Sequence, residues 1–527
     1  MAGCYNPGLK IQHFLLLCFA TGLVLGQQAS APKPQPRPAL PFKTRELLNR
    51  ITADDLRGDL SFLASDALAG RFTPSPGLDA AAEFIASRFR AAGLEPAGGQ
   101  DYFQIANMVD RRLPKMTGEL KFESGSQRLQ VPADSLTLYR AAAAAHFENT
   151  PGVVFHTTDL NALQSADVKG KAVIEAQPDF AHLSQEQRIA EHRKLRAFGK
   201  AAREAGAVLE IIASETKTPA PHARLLSAEE AEKQDTPVLL AASPELLGTM
   251  KQSENPKISV DIPAPDDQKV TGRNVIAVLR GSDSKLKDTY VLLTAHYDHV
   301  GTIATAAGMA APVKNPGADK IYNGANDDGS GTVSVIEIAR AFARLNPRPR
   351  RSIVFMTFFG EERGLLGSQF YAEHPVFPLA KTVANINLEQ VGRTDATNGK
   401  QVNTASLTGY DYSTVAQYLE KAGTITGIKV YKDAEGSDAY FTQSDNSPLA
   451  DKGVPAHSLC VAFDYPDYHG LGDEWPKIDY DNMTRVDRMV ALAVLNLAND
   501  VKTPLWNAQN PKTAPFRTAR QRAQPGT

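Results

Sequence analysis

The sequence predicts an α/β protein built on a mixed, mostly parallel sheet with helices on both faces. Three observations carry this. Apolar runs of strand length recur at 274–279, 290–296, 352–359, 383–388 and 458–463. Helical patterns such as 332–345 and 414–422 lie between them. The runs are nearly continuous rather than alternating, as strands covered on both faces are. Ligands in such sheets collect beyond the carboxyl ends of the strands.

Bulk composition bounds the rest. At 527 residues the chain exceeds one ordinary core, so two domains are expected. Hydrophobic residues make up 42% and charged residues 22%, an ordinary soluble composition. The formal net charge of -2 supplies no global field for nucleic acid or anionic lipid. No nucleic-acid partner is therefore expected. Oligomeric state is not legible.

Residues 1–31 read as a secretory signal, with Lys10, an apolar run at 14–25 and the small residues Ala29, Ser30 and Ala31. That run is short for a membrane span, and no other stretch is long enough. The mature chain is expected to be secreted or periplasmic, with no stable membrane span after cleavage. Cys4 and Cys18 would leave with the signal. Cys460 then stands alone in an apolar run, which excludes an intrachain disulfide.

Residues 32–43 are proline-rich and read as an extended linker. Segment 44–114 reads as a helical first part of the catalytic domain. Leu56, Leu60, Leu63 and Leu68 recur at helical spacing, and the amphipathic run 80–92 stops at Gly93. Segment 115–268 reads as an inserted smaller α/β unit. It has short β runs at 119–122, 152–156, 171–175 and 207–213, and helices at 186–205 and 243–250. Segment 269–503 carries the main alternation and the catalytic residues. The tail 504–527 is rich in Pro and Arg, lacks acids and reads as disordered.

Five segments carry the chemistry. His296 and Asp298 alternate onto one face at the end of a strand run. A ligating histidine needs its second ring nitrogen held, and Asp298 is placed to do so. Asn326, Asp327, Asp328 and Gly329 form a small-residue turn into a helix; two adjacent acids exceed what a cap needs. Asp327 is the choice for a carboxylate bridging two cations. Glu361 and Glu362 end a very apolar run, where acids are costly unless paired or metal-bound. One suits a ligand and the other a general base, and their order is open from these residues alone. Glu389 ends another run, and His469 follows Tyr468 in a loop after the last. Acids and histidines at successive strand ends suit two divalent cations that activate water. His299 reads as a supporting or packing residue.

In this order, His-x-Asp, Asn-Asp-x-Gly-Ser-Gly, Gly-Glu-Glu-x-Gly-Leu-Leu-Gly-Ser, Asn-Leu-Glu and Tyr-His resemble the di-zinc exopeptidases. These include secreted aminopeptidases and glutamate carboxypeptidases. The resemblance covers about 60–500. It implies the zinc exopeptidase fold and two Zn²⁺, although other divalent ions suit the same donors. It implies that Asp327 bridges, that His296 and Glu389 complete one ion and that Glu362 and His469 complete the other. Glu361 is then the catalytic base, and Asp298 supports catalysis. Many relatives carry Asp at the Glu389 position. The resemblance further implies a cis peptide between Asp327 and Asp328. Within the insertion, 167–174 and 201–212 resemble a protease-associated domain.

The expected function is hydrolysis of peptide bonds at a chain end, most simply from the amino end. Tyr468 and Tyr440 are candidates to hold an oxyanion. Asp445 and Asn446 are candidates for a substrate ammonium group, and Arg393 for a substrate carboxylate. A glutamate carboxypeptidase-like or dipeptidase activity is the alternative within the class. An inactive binding protein and a single-zinc glutaminyl cyclase are alternatives outside it.

Overall fold

The computed structural model describes residues 40–523, apart from positions 100, 179, 181, 184, 218–223, 234, 307–308, 311–312 and 314–316. The signal expected at 1–31 and the first part of the linker lie outside the described residues. The last part of that linker is not an extended tether. Helix Phe42–Asn49 starts there, and its Leu47 and Leu48 join the core.

The main sheet contains β1 (Phe103–Arg112), β2 (Asp266–Leu279), β3 (Tyr290–His296), β4 (Ser352–Phe358), β5 (Thr382–Glu389), β6 (Thr404–Leu407), β7 (Lys429–Tyr431) and β8 (Ala456–Cys460). Their spatial order is β7-β6-β8-β5-β3-β4-β2-β1, with Arg224–Ser227 on the outer edge of β1. The centre, β8-β5-β3-β4, is parallel. The flanks β6–β8, β4–β2 and β2–β1 are antiparallel. The architecture is thus the mixed sheet between helices that the runs predict, with more antiparallel flank than those runs reveal.

Alternation along each strand sorts side chains into two cores. Val291, Leu293 and Ala295 of β3 and Ile353 and Phe355 of β4 pack with helices Pro76–Ala92, Gly331–Ala343 and Tyr480–Asn499. Tyr290 and Leu292, with Val354 and Met356, face the other side, toward Tyr371, Leu449, Trp506 and Phe516. Helix Pro76–Ala92 shows why its boundaries fall where they do. Ser75 accepts from the Leu78 N–H, Pro76 opens the first turn, and Gly93 closes the helix at φ 80°. Parallel pairing of β8, β5, β3 and β4 places their carboxyl ends along one edge.

A second, eight-stranded sheet draws its strands from Leu120–Ser124 through Lys257–Ile262. The chain leaves the main sheet along β1 and returns along β2. These two strands pair from Phe103 with Val275 to Arg112 with Asp266. The Arg111 guanidinium clasps Asp267 across the junction at 2.7 and 2.8 Å. The separation is not complete, because Arg224–Ser227 pairs back onto β1.

The tail expectation needs correction. Segment 504–523 is ordered and ends in helix Ala514–Ala523. Trp506 and Phe516 stack at 5.0 Å and bury against Phe441. Arg520 donates to the carbonyls of Leu379 and Thr382. Averaged composition concealed two aromatic anchors among polar and basic residues. Among the described residues, no helix is long and apolar enough to cross a membrane.

The second sheet buries two carboxyl groups, Glu175 and Glu210, on adjacent parallel strands. Burial first, then the Glu210 charge, pushes Glu175 up to about 9, while Arg203 opposes the shift. The folded state therefore holds a proton that the unfolded chain releases near a pH of about 4.3. The stability this gives is complete below that value and is lost as pH rises through the folded value. Glu175→Gln should flatten the pH dependence. Urea unfolding at pH 5 and pH 8.5 should differ by at least about 1 kcal/mol less in the variant than in the wild type. Identical pH dependence in both would contradict this.

Candidate metal centre

Two of the predicted ligands end strands, and the others lie in the turns and loops at the same edge of the sheet. His296 is the last residue of β3 and Glu389 the last of β5. Glu361 and Glu362 follow β4 through Gly360, which turns at φ 68°. Asp327 lies in the turn Ala325–Ser330, ahead of helix Gly331–Ala343. The peptide between Asp327 and Asp328 is cis, as the resemblance implies. His469 lies in the loop beyond β8, also with positive φ.

The five side chains meet in two groups that share Asp327. His296 Nε2 lies 3.4 Å from Asp327 Oδ1 and 3.6 Å from Glu389 Oε2. His469 Nε2 lies 3.1 Å from Asp327 Oδ2 and 3.2 Å from Glu362 Oε2. The two oxygens of Asp327 thus face different histidines. Tetrahedral zinc with bonds of about 2.0–2.1 Å would separate its ligands by about 3.3–3.4 Å. The observed spacings fit that edge.

Charge tells the same story. Asp327, Asp328, Glu361, Glu362, Glu389, Asp445 and Asp473 crowd one buried region, with Arg71 as its buried guanidinium. Burial alone would raise Asp327, yet His296 and His469 hold it well below the usual carboxylate range. Burial would lower His469, but Glu362 and Asp327 drive it up to about 12. Burial pushes Glu361 well above its ordinary range; His296 opposes this, and Glu362 and Glu389 add to it. So many acids in one place call for positive charge, which a pair of divalent cations would supply. The donor set and its spacing therefore fit zinc.

The supports explain the convergence. Asp298 accepts from the Glu361 N–H at 3.0 Å and from Thr73 Oγ1 at 3.1 Å, and its carbonyl lies 3.2 Å from His296 Nδ1. It therefore orients both the histidine and the start of the Glu361 turn. Asp328 accepts from the N–H groups of Gly331 and Gln390, tying the turn to the end of β5. His299 Nδ1 sits 2.8 Å from Glu362 Oε1, so the residue read as supporting lies inside the second group.

Sequence reasoning missed several residues. Arg71 is buried beneath the turn and donates to the carbonyls of Leu63, Tyr297, Asn323 and Gly324. No local pattern marked it. Asp473 accepts from the Asn326 and Asp327 N–H groups and from the Tyr465 hydroxyl. Its place in the same loop as His469 was the one signal. Ser444 donates to Glu389 Oε1, and Asn387 bonds both.

The substrate-end candidates fare differently. Arg393 does not reach into the centre. Its guanidinium is clamped by Asp395 at 2.6 and 2.7 Å and by Asp467 at 2.9 Å. Asn446 is also corrected: its amide holds the Phe441 carbonyl and accepts from Ser458. Asp445 is wholly buried, with one oxygen on Ser368 Oγ at 2.5 Å, and presents no surface to a ligand. Tyr468 stacks on His469 at 4.2 Å and stays half-exposed at the centre. Tyr440 stacks instead on Phe463 and lines a neighbouring cavity.

Residues 274–494 match the profile of peptidase family M28. A probable zinc metalloprotease of Pyrenophora tritici-repentis (strain Pt-1C-BFP) is 28% identical over 265 residues, covering 44% of this chain and 58% of that protein. Aminopeptidase YwaD of Bacillus subtilis (strain 168) is 26% identical over 240 residues, covering 44% and 46%. The chain thus spans about half the length of these curated relatives. The solved aminopeptidase from Aneurinibacillus sp. strain AM-1 shares the fold at a TM-score of 0.56 and 19% identity, covering 87% of this chain and 97% of that one. All the expected ligands lie within the matched residues 274–494.

Ser444→Ala removes the hydroxyl that holds Glu389. Loss of such a support should weaken zinc binding about 10- to 100-fold. Competition with a chromophoric chelator measures this, and wild-type affinity in the variant would remove Ser444 from that role.

Proposed function

We propose that the chain is a secreted, zinc-dependent exopeptidase that removes residues from the amino end of peptides. The observation that carries this reading is Asp327, whose two oxygens face His296 and His469 at 3.4 and 3.1 Å beside Glu361. Two cations held by His296, Asp327, Glu389, Glu362 and His469 would polarise the scissile carbonyl and lower the pKa of bound water toward about 7.

The chain's own residues supply the rest. Glu361 Oε2 stands 3.9 Å from His296 Nε2, at the face of the ligand cluster rather than inside it. Its raised carboxyl suits a group that takes a proton from the attacking water and delivers it to the departing amine. Asp298 fixes the turn that aims Glu361. The Tyr468 phenol, half-exposed beside His469, is the remaining candidate to donate to the developing oxyanion.

Amino-end polarity draws support from two directions. The centre is rich in carboxylates that suit an ammonium group, and Arg393 is committed to Asp395 and Asp467. A carboxypeptidase reading thereby loses its candidate for the substrate carboxylate. The relatives named aminopeptidases point the same way. The secreted reading rests on the composition of 1–31. The second sheet is read as the protease-associated domain. Its Arg193 donates to Thr442 Oγ1, beside the Tyr440 wall, which supports a place at the border of the cleft.

One assay tests the reading. Matched peptides with free or acetylated amino ends, and with free or amidated carboxyl ends, are offered with zinc. Acetylation alone should abolish cleavage, and Glu361→Gln should lower kcat about 100- to 10,000-fold with zinc content retained. Cleavage that survives acetylation, or full activity of the variant, would contradict it.

A further inference from the structure

A cavity of 330 Å³ lies beside the centre and takes no part in the chemistry above. Its size falls within the range of about 300–1,000 Å³ typical of small-ligand clefts. Three stretches of chain wall it, and each continues from a segment that touches Glu389. Segment 396–401 follows β5, which ends at Glu389. Segment 431–440 precedes Ser444, which donates to Glu389. Segment 461–464 continues from Cys460, the β8 partner of Glu389, and the N–H of Val461 meets the Gln390 carbonyl. The cavity therefore begins where the ligand strand ends.

Its lining has two characters. Tyr431, Tyr440 and Phe463 form aromatic walls, with Tyr440 stacked on Phe463 at 4.9 Å. Asp433, Glu435 and Asp464 supply carboxylates, and no Lys, Arg or His lines the space. Lys432 pairs with Asp411 at 2.6 Å and Lys477 with Asp467 at 2.9 Å, while Lys400 of segment 396–401 is exposed and is not part of the lining. Among the described residues the Asp464 carboxylate takes only the Thr397 hydroxyl, and the Asp433 carboxylate accepts from the N–H groups of Glu435 and Gly436. Among the described residues, none of the three acids forms an ion pair. A long side chain could lay its methylenes on the rings and carry a cationic head to the acids.

We propose that this cavity receives the side chain of the substrate's amino-terminal residue and selects lysine or arginine there. The proposal rests on the aminopeptidase reading. The test compares Lys- and norleucine-p-nitroanilide, which differ by the ammonium head. The ratio of their kcat/KM values should favour Lys at least about ten-fold. Added salt should reduce that ratio, since the acids are partly exposed. Glu435→Lys, at an exposed position with little part in the fold, should lower the ratio at least about ten-fold, and Asp464→Asn should lower it less. Equal cleavage of the two substrates, or a ratio indifferent to Glu435→Lys, would overturn the proposal while leaving the peptidase reading intact. Cleavage of neither substrate with zinc present would instead remove the aminopeptidase reading and this side-chain assignment with it. Calorimetric titration of lysinamide and norleucinamide into the zinc-loaded Glu361→Gln variant, whose turnover is suppressed, reads the cavity by binding alone. Tighter lysinamide binding that Glu435→Lys abolishes supports the cationic site, and equal binding overturns it.

Discussion

The structure depends on one electrostatic constraint: several carboxylates are held together out of water at the end of a sheet. Charges of one sign cannot share a buried space unless something of the opposite sign joins them. The described protein supplies part of that compensation through the buried Arg71 and through His296, His299 and His469. The proposed metal pair supplies the rest. In this view the sheet exists to bring the acids into one place, and the cations make that place tolerable. The same arrangement gives a hydrolytic centre.

Backbone groups do most of the positioning. The turn holding Asp327 is gripped at its entry by Arg71 through the Asn323 and Gly324 carbonyls and from the side by Asp473 through two N–H groups, while the same guanidinium ties in Leu63 and Tyr297. Asp328 stitches the same turn to the end of β5. A ligand carboxylate fixed at its own backbone loses little freedom on binding an ion. The C-terminal segment contributes at longer range. Trp506 and Phe516 pack on Phe441, which sits one residue after Tyr440 and three before Ser444. The wall of the side cavity and the support of Glu389 thus share one aromatic anchor.

Strongly apolar strands made the centre legible in sequence. β3, β4, β5 and β8 are buried on both faces, so their composition announces them, and an acid or histidine at such an end stands out. What remained hidden was held by tertiary contact alone. Arg71 acts through carbonyls contributed by residues more than two hundred positions away, which no local pattern encodes. The strand β1 alternates with polar residues, so the antiparallel flank was not evident. Tail residues Trp506 and Phe516 are two anchors in a polar stretch, and averaging over 504–527 erased them. Arg393 shows the opposite error: a charge near the site in sequence was already spent on Asp395 and Asp467.

The most direct measurement is anomalous X-ray scattering at the zinc edge from crystals of the zinc-loaded protein. Two peaks are expected, one on each oxygen of Asp327, one also touching His296 and Glu389 and the other Glu362 and His469. A single peak, or peaks away from Asp327, would contradict the shared carboxylate on which the proposed chemistry stands.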